Sequence, residues 1–381
     1  MRKFIPYGRQ YIDEDDIRAV VEVLKSDYIT TGPKIDELEK KIAGYTGAKH
    51  AVAVSNGTAA LHAACFAAGI GPGDEVITSP MTFAASANCV LYMGAKPVFA
   101  DIDSQTYNIA PEEIEKKING RTKAIIPVHF TGQPCDMDEI LGIAEKYGLA
   151  VIEDGSHALG ALYKGRRIGT LGDMTTFSFH PVKHITTGEG GAITTNDDSL
   201  YDRLLMFRTH GVTRAVEKME KNEGPWFYEQ QYLGFNYRMT DIQAALGVSQ
   251  LNKLEGFLEK RRSYAALYDK LLEEIDGVVA PRQAGYSRSA WHLYVIKLDA
   301  GKPELDRRKV FEALRKRNIG VNVHYIPVYH HPYYRKIGYE KGLCPVSEAL
   351  YENIITLPLH PSMEPEDIHY IADNLADILR S

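Results

Sequence analysis

Residues 174–195 read MTTFSFHPVKHITTGEGGAITT. Aromatics and threonines alternate from Met174 to Phe179, the composition of a strand, and Gly191 to Thr195 reads as a second one. Between them Gly188, Gly190 and Gly191 mark a turn. That turn carries one lysine, Lys183, with Ser178 five residues ahead of it and Thr186 and Thr187 behind it. Taken alone, a lysine is most often a solvated surface group. One held on a tight loop between strands is fixed in place and partly withdrawn from water, which lowers its pKa and makes the amine a nucleophile. Such an amine suits a Schiff base with pyridoxal phosphate, with Ser178 placed to hydrogen-bond the phosphate.

Working outward, the chain alternates strands with helices. HAVAV (50–54) is a short apolar strand, and the alanine-rich run from Ala59 is a helix. Ser55-Asn56-Gly57-Thr58 between them sets backbone N–H groups at a helix N-terminus, a ready anion site, although the same residues make an ordinary N-cap. Taken with Lys183, Gly57 and Thr58 are candidates for the cofactor phosphate. Glu75 to Thr78 is the next strand, and Phe83 stands at the start of the following helix, as a stacking aromatic or as a core one. KPVFADID and PEEIEKKI, KAIIPVHF and MDEILGIAEKYG, then AVIEDGS repeat the rhythm. This alternation predicts an α/β fold with a mostly parallel sheet covered on both faces, whose ligands bind beyond the carboxyl ends of the strands. Asp154 closes the apolar AVIE at one such end. A buried carboxylate there needs a cationic partner, and a pyridinium nitrogen supplies one; an aspartate capping a turn is the plainer alternative.

FSFHPVK-ITT-EGGA and EDGSHALGALYKG, the latter fitting an EDxxHAxG pattern, closely resemble the corresponding segments of the DegT/DnrJ/EryC1/StrS family of pyridoxal-phosphate-dependent nucleotide-sugar aminotransferases. The resemblance runs over essentially the whole chain. It implies fold type I, with a large domain (residues 1–250) built on a seven-stranded sheet and a smaller α+β domain (251–381). It also implies that Lys183 binds the cofactor, that Asp154 holds the pyridine nitrogen protonated, that His157 packs beside the ring, and that Phe83 stacks on it. By the same resemblance Asn236 reaches the phosphate of a neighbouring subunit, so the active sites of a homodimer are shared. Tyr7, Tyr28, Ile29 and Thr30, with His324, Tyr325 and Tyr329 from the aromatic-rich VHYIPVYHHPYYRK, are implied to line the sugar-nucleotide pocket. The TFAASAN and FNYRM segments resemble the members of the pseudaminic-acid pathway, which aminate C4 of a UDP-4-keto-6-deoxy-N-acetyl sugar with L-glutamate as donor. Other keto sugars, a 4-keto pentose or a 3-keto hexose, remain open, as does a non-catalytic regulator or scaffold of the same fold. A dehydratase of this fold would lack Lys183. The chain departs from the family pattern at Gly155 and Ser156, where alanine is usual, and at His184, which acquires no role.

Composition is ordinary for a soluble globular protein. The 381 residues are 44% hydrophobic and 25% charged, with a net charge of −6, which argues against nucleic-acid or anionic-membrane partners. No apolar run reaches the ~18–20 residues of a membrane span, and MRKFIPYGRQ is not read as a signal peptide. Cys65, Cys89, Cys135 and Cys344 lie far apart, which predicts reduced thiols in a cytoplasmic protein, and the clustered histidines show no metal-ligand spacing. A GxGxxG after a strand is missing, so a nicotinamide cofactor is not expected.

Toward the two ends, helices are expected over residues 13–25, with Ile17, Val20, Val21 and Leu24 on one face, and over 200–208. The stretch 210–235 has little periodicity, as in a lid or a disordered loop. Beyond it the pattern predicts a helix opening at Thr240 or Asp241, a long helix 254–275, a strand 290–298, a helix 307–318, a strand 319–327 and a last helix 364–379.

Overall fold

The computed structural model describes residues 3–299 and 306–380. Its centre is a seven-stranded sheet formed by β1 (His50–Val54), β2 (Glu75–Thr78), β3 (Lys96–Phe99), β4 (Thr122–Ile126), β5 (Ala150–Asp154), β6 (Met174–Ser178) and β7 (Gly191–Thr195). The spatial order is β1-β7-β6-β5-β4-β2-β3, with β3, β2, β4, β5 and β6 parallel and β7 antiparallel to both its neighbours. Helices cover both faces, so the central strands are buried on both sides and read as nearly continuous apolar runs. The threonines of β6 and β7 fit this buried setting because their hydroxyls are paired: Thr175 donates to Glu153 Oε1 at 2.7 Å and Thr194 to the Gly169 carbonyl at 2.8 Å. Gly191 has to be glycine, since a Cβ there would come within 2.7 Å of the Asn56 carbonyl.

The helix Gly57–Ala67 is alanine-rich and buried almost all round, as a helix sandwiched between sheet and outer layer must be. A helix over Pro33–Thr46, absent from the sequence reading, follows the same rules: Pro33 takes the first helical position, and Gly47 ends it in the left-handed conformation at φ 82°. The N-terminal helix, Glu14–Leu24, forms with a capping box between Asp13 and Asp16. The face expected to carry Ile17, Val20, Val21 and Leu24 is mostly exposed, with Val20 half-buried. Val23 is buried, whereas Ile17, Val21 and Leu24 lie outward at 48%, 38% and 57% exposure.

The carboxyl-terminal part carries the long helix Leu254–Leu272, the helices Arg307–Lys316 and Pro365–Arg380, and a three-stranded sheet of Val278–Val279, Tyr294–Leu298 and Ile354–Leu357. Its apolar cluster recruits Ile5 from the N-terminus, while Leu251, Leu254 and Leu258 pack into the core beneath the large sheet, so packing crosses the proposed division at residue 250 in both directions. The expected strand 319–327 does not form. That segment makes only the isolated bridges Ile5↔Ile319 and Asn322↔Thr356. Ile354–Leu357 takes the ladder instead, and residues 322–326 turn toward a cavity.

Candidate active site

The carboxyl ends of β5 and β6, the N-terminus of the helix Gly57–Ala67 and residues 322–326 enclose a cavity of about 1100 Å³. Lys183 enters it from the turn joining β6 to β7. That turn is closed by Phe179 N–H donating to the Gly190 carbonyl at 2.8 Å and by Thr187 N–H donating to the Phe179 carbonyl at 3.0 Å. The hydroxyls of Thr186 and Thr187 are spent on the same turn, donating to the carbonyls of Phe179 and Glu189 at 3.1 and 2.7 Å. Gly190 is required there, because a Cβ would fall 2.1 Å from Thr187 Oγ1. The Lys183 amine lies 3.5 Å from His292 Nε2. Burial lowers its pKa to about 8; the Asp154 carboxylate opposes that shift and the Arg261 charge adds to it.

Asp154 is buried at the end of β5, with Oδ2 accepting from Ser86 Oγ at 2.6 Å and Oδ1 from Ser156 N–H at 3.1 Å. Those bonds fix the orientation of the carboxyl group. His157 follows on the turn, its ring 4.3 Å from that of His292, with Nε2 and the Tyr325 hydroxyl 3.3 Å apart. Burial first, then the Lys183 charge, push the His157 pKa well down, so the ring is a neutral wall of the site.

Asn56 caps the helix Gly57–Ala67 by accepting from Ala59 N–H at 2.8 Å, and Gly57 and Thr58 line the cavity beside Ser178. A Cβ on Gly57 would sit 2.9 Å from Ser178 Cβ and 3.1 Å from its Oγ. The glycine therefore leaves a pocket between helix terminus and hydroxyl that a phosphate fits. Two further observations match a pyridine ring: the buried Nδ1 of His157 has no protein partner, and Asp154 presents a carboxylate to the cavity. The residues present fit pyridoxal phosphate.

Of the residues singled out from sequence, Tyr7, Gly57, Thr58, Phe83, Asp154, His157, Ser178, Lys183, His324 and Tyr325 share this one cavity. Phe83 is 64% exposed and is no core residue. Tyr28, Ile29 and Thr30 lie on the outer surface, where the Thr30 backbone bridges to Thr240, and Asn236 is exposed outside the cavity with its backbone bridged to Thr209. Tyr329 is fully buried outside the cavity lining, its hydroxyl donating to Glu348 at 2.7 Å within a small aromatic cluster. His184 faces away from the cavity, with Nε2 and the Ala290 carbonyl 3.1 Å apart. Sequence reasoning missed Ser86 and His292. Ser86 is one of several small residues in a helix, and His292 interrupts an apolar strand without a motif, so neither carried a signal.

A lysine between β6 and β7, a carboxylate ending β5 and an anion cradle at a helix N-terminus, on this sheet order, define a fold-type-I pyridoxal-phosphate aminotransferase. Residues 10–376 match the DegT/DnrJ/EryC1/StrS aminotransferase family, and the chain belongs to it. The chain is 44% identical over 379 residues to the spore coat polysaccharide biosynthesis protein SpsC of Bacillus subtilis, covering 99% of this chain and 97% of the other. An uncharacterised protein of Methanocaldococcus jannaschii is 47% identical over 366 residues, covering 96% and 95%. Among solved structures, a putative sugar aminotransferase of Streptococcus pneumoniae in its pyridoxal-phosphate form superposes with a TM-score of 0.92 at 32% identity over 99% of both chains. Helicobacter pylori PseC, an aminotransferase involved in the biosynthesis of pseudoaminic acid, gives a TM-score of 0.92 at 32% identity, over 99% of this chain and 100% of the other. The protein is a pyridoxal-phosphate-dependent sugar aminotransferase. No helix among the described residues is long and apolar enough to cross a membrane.

Proposed function

We propose that the enzyme transfers the amino group of L-glutamate to C4 of a UDP-linked 4-keto-6-deoxy-N-acetylhexosamine, in amino-sugar synthesis of the pseudaminic-acid type. The observation that carries this reading is the cavity of about 1100 Å³, larger than one cofactor needs, which Tyr7, His324 and Tyr325 line together with the phosphate cradle. The likeness to PseC supports the choice of sugar.

Gly57, Thr58 and Ser178 would hold the phosphate, and Asp154 would keep the pyridine nitrogen protonated. Bound pyridoxal phosphate supplies an electron sink for the carbon that loses its proton. Lys183 Nζ, once free, takes the proton from the donor's α-carbon as general base and returns it as general acid. The keto acid leaves before the keto sugar binds, so kinetics are ping-pong. On the sugar the same amine carries protons in the opposite sense, while Tyr7, His324 and Tyr325 hold the sugar by stacking and hydrogen bonds.

The working form is a homodimer with shared active sites. The outward stripe of Ile17, Val21 and Leu24, with Tyr28 and Ile29 close in sequence, is the apolar surface that a second copy would cover, and Asn236 of the partner subunit completes the phosphate site. Four buried cysteines, all unpaired, support residence in the reducing cytoplasm.

The test is incubation of the purified enzyme with isotopically labelled L-glutamate and the UDP-4-keto sugar, followed by mass spectrometry. Label in a 4-amino sugar is the expected result. Label transferred only to a 4-keto pentose or a 3-keto hexose would overturn the substrate. No transfer to any keto sugar, with no cofactor bound, would favour a scaffold.

A further inference from the structure

Arg261 is the charged side chain for which the chemistry above has no use. It points inward from the helix Leu254–Leu272 and is fully buried. Its Nη1 donates to the carbonyls of Trp291, His292 and Leu359 at 3.2, 3.2 and 2.8 Å. Among the described residues Nε and Nη2 are buried without a protein partner, and burial lowers the basicity of the group with no carboxylate paired to it. A buried cation left unpaired is costly, so its retention asks for a purpose.

The carbonyls it holds belong to the turn that sets His292. Trp291 stands there at φ 51°, a conformation rare for a bulky residue. His292 N–H donates to the Thr131 carbonyl at 2.7 Å. Gly132 makes the close approach possible, since a Cβ on it would lie 2.7 Å from the His157 carbonyl and 2.9 Å from Trp291 N. The result is an imidazole held rigidly between His157 and the Lys183 amine.

We propose that Arg261 is a positioning residue for Lys183: it clamps the Trp291–His292 turn so that the imidazole meets the lysine amine, and it brings an unpaired positive charge to the same site. The titratable and charged groups near enough to interact with the Lys183 charge are Asp154, His157, His184, His292, His324 and Arg261. Of these only Asp154 favours the ammonium. The four histidines are held below their ordinary range, chiefly by burial, and the Arg261 charge acts further on His184 and His292. A neutral His292, its Nε2 3.5 Å from the amine, does not compete with it as a second cation. The inference rests on Lys183 being the cofactor lysine.

The test uses cofactor-free protein, trace-labelled with acetic anhydride across a pH range, with label on the Lys183 peptide quantified by mass spectrometry. The wild type is expected to titrate near pH 8. R261Q and R261M, which delete the charge with partial retention of volume, are expected to raise the midpoint by about one unit, roughly tenfold less label at neutral pH. Melting temperature is recorded alongside, because loss of the clamp alone would move stability and leave the midpoint in place. Folded R261Q and R261M with the wild-type midpoint would overturn the proposal. A wild-type midpoint at the ordinary lysine value would do so even if neither variant folds. Borohydride reduction of the loaded enzyme and peptide mapping checks the site separately, since cofactor trapped on another lysine refutes the assignment of Lys183 itself.

Discussion

Substituting Gly57 by alanine isolates the phosphate cradle from everything else in the site. The backbone there is ordinary helix, so alanine adds no strain and gains about 1 kcal/mol of helix propensity. Its Cβ, however, would sit 2.9 Å from Ser178 Cβ and 3.1 Å from Oγ, closer than carbon atoms approach. Ser178 ends β6, paired with Gly191 of β7, so the strand resists moving and the hydroxyl must turn out of the cradle. A hydrogen bond to a charged phosphate contributes about 1.5–3 kcal/mol, so the dissociation constant for pyridoxal phosphate should rise roughly 10- to 150-fold. Titration of cofactor-free G57A by absorbance measures this, and pyridoxal, which lacks the phosphate, is the control. Its affinity should match wild type, and the melting temperature of the cofactor-free protein should barely change, because the helix gain offsets part of the crowding. Unchanged affinity for pyridoxal phosphate, or an equal loss for both compounds, would refute the placement of the phosphate at Gly57 and Ser178.

Three other outcomes follow from the same geometry. The pKa of Lys183 is lowered to about 8, so the rate at which cofactor-free protein captures pyridoxal phosphate should climb about tenfold per pH unit below 8 and level off above it; a rate still climbing near pH 10 would contradict a depressed lysine. Tyr329→Phe removes a buried hydroxyl that donates to Glu348 at 2.7 Å, so it should cost about 1–3 kcal/mol of stability in denaturant unfolding and leave KM for the sugar nucleotide unchanged; a raised KM with unaltered stability would return Tyr329 to the pocket. Ile17→Glu combined with Leu24→Glu places two charges on the outward stripe, and sedimentation should show monomers with reduced cofactor retention; an unchanged dimer would locate the interface elsewhere.

The sheet and much of the candidate site were legible in the chain because their signals are local. An apolar run ending in Asp154, a small-residue helix start after β1, and a glycine-rich turn bearing Lys183 each state their own geometry within a few residues. The same locality explains the failures. Periodicity groups Ile17, Val21 and Leu24 on one face of a helix, yet whether that face is covered depends on what packs there, and in this chain it points outward. IGVNVHYIP has the alternation of a strand, but the ladder position went to Ile354–Leu357, a competition between segments that no window of sequence contains. Tyr329 and Tyr325 stand four residues apart in one aromatic-rich stretch, and the fold buries the first beside Glu348 and turns the second into the cavity. Sequence alone therefore determined the alternation of strands and helices through the large sheet and singled out Lys183 and Asp154 as candidates, since such patterns are set at short range. Only the tertiary structure decided that Ser86 holds Asp154, that His292 meets Lys183, and that Arg261 stands unpaired behind them, because those partners lie 68, 109 and 31 positions apart and meet only when the layers close.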